Sequence, residues 1–208
     1  MQWLMMLVVS ALVVGADAQT RRRPASPAFK TEAVALVCPS PLGQGVATQR
    51  IFCSIQADSE PSAGAIVRLP PHRGPATLSF DLHNRHMYSA ELVERGRGYT
   101  RATATIGVLA MDKTLLTRAV VQTEFRAAVD LFDRVAAGAG MAGVKAVAPI
   151  GSEPVTLEVA EGVNAVSILG EKLVIVGVDN SETITSAGRP IAVVSNVRLR
   201  YRPAPTRR

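Results

Sequence analysis

The chain has 208 residues, of which 48% are apolar and only 4% aromatic, and it carries a formal net charge of +6. This composition supports a globular core and excludes a disordered or low-complexity protein. The scarcity of aromatics, with the single Trp at position 3, speaks against an aromatic-lined sugar or nucleic-acid platform, and no recognition motif accompanies the charge, so no nucleic-acid partner is expected.

Trp3 to Gly15 form an almost unbroken apolar run, and Ala16, Asp17 and Ala18 place small side chains at the two positions a signal peptidase reads. A cleaved signal peptide over residues 1–18 is therefore expected, with export to the periplasm or the outside. The run of about 13 residues is short of the ~20 needed to cross a bilayer core, and no second such stretch follows, so the mature part has no expected transmembrane span. No Lys or Arg precedes the run, which points to a start upstream of Met1, while Arg21, Arg22 and Arg23 open an Arg/Pro-rich linker over 19–31 that is expected to be disordered. Residues 32–202 then form one domain and 203–208 a disordered tail.

Cys38 and Cys53, the only cysteines, read as a structural disulfide in an exported chain. Their flanks, Ala33 to Val37 and Arg50 to Ser54, read as short strands joined by a loop with Pro39, Pro41, Gly43 and Gly45. Next come strands at Ala65–Leu69 and Ala76–Leu82, the latter alternating Leu78, Phe80 and Leu82 with polar neighbours. Tyr88 to Tyr99 is a polar connection. Thr100 to Ala110 alternates most clearly, with Ala102, Ala104, Ile106, Val108 and Ala110 on one face, and a turn at Asp112 and Lys113 leads back along Leu115–Phe125 as a hairpin.

Between Arg126 and Gly138 one or two helical turns are expected, followed by a small, glycine-rich loop over Ala136–Gly143 that marks a hinge or a boundary. Strands resume at Val155–Val159, Ala165–Leu169, Leu173–Val178, Thr183–Thr185 and Ile191–Tyr201. Leu173–Val178, apolar at nearly every position, reads as a central strand covered on both sides. The fold class is all-β, an antiparallel β-sandwich of Ig-like or jelly-roll type with at most one short helix. The closing Val197-Arg198-Leu199-Arg200-Tyr201 strand resembles those of galactose-binding jelly rolls of exported bacterial proteins, but the stacking aromatics of those modules are missing and no binding residue is carried over.

The most site-like cluster is Asp81, His83 and His86, placed at the end of a strand. Asp81 and His83 share a strand face, and His86 joins them on a divalent metal if Asn84 and Arg85 turn the chain; the plainer reading is a polar, exposed strand end. No other cofactor is expected. Arg198 and Arg200 line the open face of the final strand, read first as protection of a sheet edge and second as a ligand-facing surface, to which Arg95 and Arg97 in the polar connection would add. Among carboxylates, Glu91, Glu94, Glu124, Asp130 and Asp133 are the candidates for an acid–base pair, the last three reading better as a solvated face.

Together these features describe an exported, non-enzymatic binding or structural module of the bacterial envelope, with an envelope protein or an anionic glycan as partner. The rival is a metal- or carboxylate-dependent enzyme acting on a cell-wall or extracellular polymer.

Overall fold

A computed structural model describes residues 28–135 and 146–205. The expected signal peptide, most of the 19–31 linker and the glycine-rich Ala136–Gly143 loop lie outside the described residues. Two six-stranded antiparallel sheets pack face to face. The first contains β1 (Lys30–Ala33), β3 (Pro41–Gln44), β4 (Ile51–Gln56), β6 (Ala76–Tyr88), β9 (Ala146–Val159) and β12 (Pro190–Tyr201), in the order β3-β4-β12-β6-β9, with β1 also on β12. The second contains β2 (Leu36–Val37), β5 (Ala65–Arg68), β7 (Thr100–Ala110), β8 (Leu115–Phe125), β10 (Ala165–Gly177) and β11 (Ser181–Ile184), in the order β2-β5-β10-β7-β8, with β11 also on β10. One short helix, α1 (Ala90–Glu94), capped by the Ser89 hydroxyl, interrupts the polar connection after β6.

The alternating apolar positions meet in the middle. Leu78, Phe80 and Leu82 of β6 and Val197, Leu199 and Tyr201 of β12 face Ala102, Ala104, Ile106 and Val108 of β7 and Val166, Ile168 and Leu173 of β10. Non-directional burial of this kind is the main stabilising term of a sandwich core. The β7–β8 hairpin turns at Lys113, which adopts a left-handed backbone conformation, with the Asp112 carboxylate accepting the Thr114 N–H. The Cys38–Cys53 disulfide is present and ties β4 of the first sheet to the chain leaving β2 in the second.

Several expectations need correction. Ala33–Val37 is not one strand: the chain crosses from the first sheet to the second between Ala33 and Leu36. Ala165–Leu169 and Leu173–Val178 belong to one strand, β10, with a bulge between Gly170 and Lys172. It is interior to its sheet, but the fully buried stretch is Val166–Gly170, and Val178 is exposed. The final strand is no edge. β12 is flanked by β6 on one side and by β4 and β1, end to end, on the other, so its arginines do not guard an open edge. Finally β6 continues past Leu82 to Tyr88, so the Asp81–His86 stretch lies inside a strand and not at a turn.

Candidate functional site

The two faces of the long β6 strand carry different chemistry. Strand alternation sends Asp81 and His83 to the outer face of the first sheet and Asn84 and His86 inward, toward the second. His83 packs against Phe52 and Phe132, whereas His86 stacks on Phe125 of β8, so the expected three-ligand cluster is not assembled. Among the described residues no group of three or more His, Cys, Asp or Glu is placed to hold a metal ion.

Around His83 the outer face is covered. The His83 ring accounts for both its nitrogens: the Gly151 carbonyl can only accept, so Nδ1 donates to it (2.6 Å), and Nε2 accepts from the Ser195 hydroxyl (2.9 Å). Burial pushes the His83 pKa down, against the opposing pull of the Gly151 carbonyl and the Asp81 charge. Beside it Arg50 donates to Asp81 (2.6 Å), Asn196 donates to the same carboxylate (3.2 Å), and the Arg50 guanidinium lies over Phe132. A Ser–His pair of this length is the arrangement of a nucleophile and its base. Here Ser195 and His83 are 1% and 0% exposed, beneath a small second core of Leu42, Phe52, Val135 and Val193. Two bulges build this face. Asn196, with φ of 55°, resets the alternation of β12, and Gly151, with φ of 64°, does the same in β9, where an added Cβ would meet Thr123 at 2.1 Å.

Asp133 holds the same layer down. Its carboxylate accepts the Ala47 N–H (3.0 Å), the Thr48 N–H (2.9 Å) and the Thr48 hydroxyl, and Gly45 lets it approach, since a Cβ there would lie 2.1 Å from its Oδ2. Burial alone would raise this carboxyl, but the hydrogen bonds outweigh it and hold the pKa at about 2. Its folded pKa is thus below the unfolded 3.8, so its contribution is present above 3.8 and lost as the pH falls through about 2. Asp133→Asn should lower the unfolding free energy at neutral pH by about 2 kcal/mol and remove this acid-dependent part, measured by urea unfolding across that pH range. Asp133 therefore does not belong to a solvated face; Glu124 pairs with Arg126, and Asp130 accepts the Arg126 and Ala127 N–H groups.

The accessible site is on the inner side. β12 pairs with β6 only as far as His83, and where the two strands part a cavity of ≈ 270 Å³ opens between the sheets. Ala102, Leu173, Ile175, Ile184 and Pro190 supply apolar walls from β7, β10, β11 and β12, and Met87 and His86 close the β6 side. The His86 ring stacks on Phe125 at 3.7 Å between centroids, and burial holds its pKa at about 4, so it is neutral at pH 7. Arg189 and Glu182 also line it, as does Arg85 at the β6 edge, from a position that shares the outward face of Asp81 and His83. Glu182 and Arg189 form a loose ion pair (3.7 Å) with both side chains more than half exposed. Arg85 makes no ion pair among the described residues, its Nε is buried without a hydrogen-bond partner, and burial lowers its pKa.

The four arginines expected to share a surface are separated. Arg198 and Arg200 lie opposite Ser79 and Thr77 at the start of β6, with Arg200 stacked over Phe29. Arg95 and Arg97 follow the far end of β6 and pair with Glu91 and Asp179. Arg85, expected at a turn, instead lies within β6 at the edge of the cavity, and Met87 and Tyr88 just beyond it are the signal that the strand continues.

No protein-family model and no curated protein matches the chain. Among solved structures, similarity is found to the VP2 subviral particle of infectious bursal disease virus, at 11% identity and a TM-score of 0.25, over 92% of this chain and 36% of that one. The T13 particle of the same virus gives 11% and 0.20 over 93% and 40%, and its T=1 particle 12% and 0.17 over 93% and 41%. The chain thus spans well under half the length of each, and scores of this size carry no argument about function.

Proposed function

We propose that the protein is an exported, non-enzymatic binding module whose site is the cleft beside Arg85. The observation that carries this reading is the cleft itself: a cavity of ≈ 270 Å³, mainly apolar, with a few convergent polar groups, between the two sheets. Export is supported by the apolar run before Ala18 and by the Cys38–Cys53 disulfide, which fits an oxidising compartment such as the bacterial envelope. The Ser195–His83 pair, which resembles a nucleophile and its base, is sealed beneath Phe132, which favours binding over hydrolysis.

The test uses the neutral fluorophore N-phenylnaphthylamine, which brightens in apolar sites. Saturable one-to-one binding to the oxidised protein is expected, and Ile175→Trp, which fills the cleft from β10, should weaken it at least tenfold while leaving the circular dichroism spectrum unchanged. Binding unaffected by Ile175→Trp, or no binding to the parent protein, would remove the cleft as the site.

A further inference from the structure

We infer that the open half of the first sheet's outer face is a second binding surface, where Arg198, Arg200 and Arg202 take the carboxylates of a linear acidic polysaccharide. This surface lies on the opposite side of the sheet from the cleft, and its occupancy does not depend on the cleft being a site. Three observations converge.

The first is a row of uncommitted charge. Val197, Leu199 and Tyr201 of β12 are buried in the core, so alternation sends Arg198, Arg200 and Arg202 outward, where all three are exposed. Alternate strand residues stand ~6.7 Å apart, so the row runs for ~13 Å and suits a chain of repeated anions better than a single small ion. Among the described residues none of the three guanidiniums makes an ion pair. Asp81 on the same face is already held by Arg50 and Asn196, and Glu158 stands on the outermost strand, β9.

The second is that the row is held in place. The Phe29 ring, just before β1, carries Arg200 and Arg202 at 4.1 and 4.2 Å from its centroid. The contact restrains two flexible side chains without an acidic partner, which lowers the ordering cost of binding an anion. It also covers the ring, so Phe29 is not free to stack on a base or to enter a bilayer, and nucleic acid and lipid are the poorer partners.

The third is the chemistry around the arginines. Strand register sets Thr31 and Thr77 on either side of Arg200 and Ala33 and Ser79 on either side of Arg198, with Thr156 next to Ser79. The hydroxyls of Thr31, Thr77, Ser79 and Thr156 both donate and accept, which matches the sugar hydroxyls that lie between acidic groups. A carboxylate is planar and offers two acceptor oxygens to the guanidinium fork.

The experiment measures binding of the full, oxidised protein to polygalacturonate by isothermal titration calorimetry, with its methyl ester, single-stranded DNA and phosphatidylglycerol vesicles as competing probes. Saturable binding to polygalacturonate is expected, weakening as salt rises and absent for the uncharged ester. Arg198→Gln with Arg200→Gln should weaken it by about tenfold or more, since hydrogen bonds to charged groups are lost. Arg95→Gln with Arg97→Gln removes the same charge beyond the far end of β6 and should change binding by less than about twofold. Arg198→Lys with Arg200→Lys, which keeps the charge without the fork, should recover only part of the loss and shows that the loss is not one of folding. Equal losses from the two glutamine pairs, binding to the ester as strong as to the acid, tighter binding to DNA or to vesicles, or no binding to polygalacturonate would each overturn the inference.

Discussion

Phe125→Ala should lower the unfolding free energy by about 3–5 kcal/mol, the usual cost of emptying a fully buried aromatic site. Phe125 is 1% exposed at the end of β8, stacked under His86 and edge-on to Tyr88, so the truncation opens a cavity directly behind the cleft. The same change should alter how stability depends on pH. In the parent protein burial depresses the His86 pKa from 6.5 to about 4, so on acidification the unfolded chain takes up this proton first. The stabilisation tied to neutral His86 is therefore complete above 6.5 and is lost as the pH falls from there through about 4. Water admitted beside the imidazole in Phe125→Ala should raise its pKa toward 6.5 and flatten that loss. Urea unfolding at both ends of this interval, with an NMR titration of His86, measures the two effects together. A loss below ~0.5 kcal/mol, the level of an ordinary surface change, would mean that the stack is not a core contact.

Removal of the disulfide by Cys38→Ala with Cys53→Ala should cost about 3 kcal/mol, the entropy of the 15-residue loop it closes in the unfolded chain. Alanine is the right probe because Cys53 is fully buried in the main core, where a serine would add an unpaired hydroxyl. The bridge joins the two sheets near the chain's crossing from one to the other, so its loss should free the β1–β3 segment before the rest. Guanidinium unfolding should show a lower midpoint and, since the unfolded chain is now longer and more open, a steeper slope. An unchanged midpoint on reduction would show that the bridge does not restrict the unfolded chain.

Much of the sandwich was legible because strand periodicity is local. Ala102, Ala104, Ile106 and Val108 are buried as their spacing required, and the Asp112–Lys113 turn forms because Asp can accept the N–H two residues on. The site was less legible. Asn84 and Arg85 looked like a bend because Asn is common in turns, but Asn84 is fully buried and its two amide hydrogens are shared among the Ala102 and Val121 carbonyls and the Thr123 hydroxyl of the facing sheet. A polar residue inside a strand is disguised when its partners come from another sheet, and those partners are 18 to 39 residues away.

By itself the sequence determined a two-sheet β protein, most of its strands and its disulfide, because alternation, turn chemistry and cysteine parity are written within a few neighbouring residues. Only the tertiary structure decided which strands adjoin. It made β12 an interior strand with exposed arginines, sealed His83 and Ser195 under Phe132, turned His86 to the opposite face, and left Arg85 where β6 and β12 part. The physical reason is that a period of two says which side chains share a face, and long-range pairing alone says what that face meets.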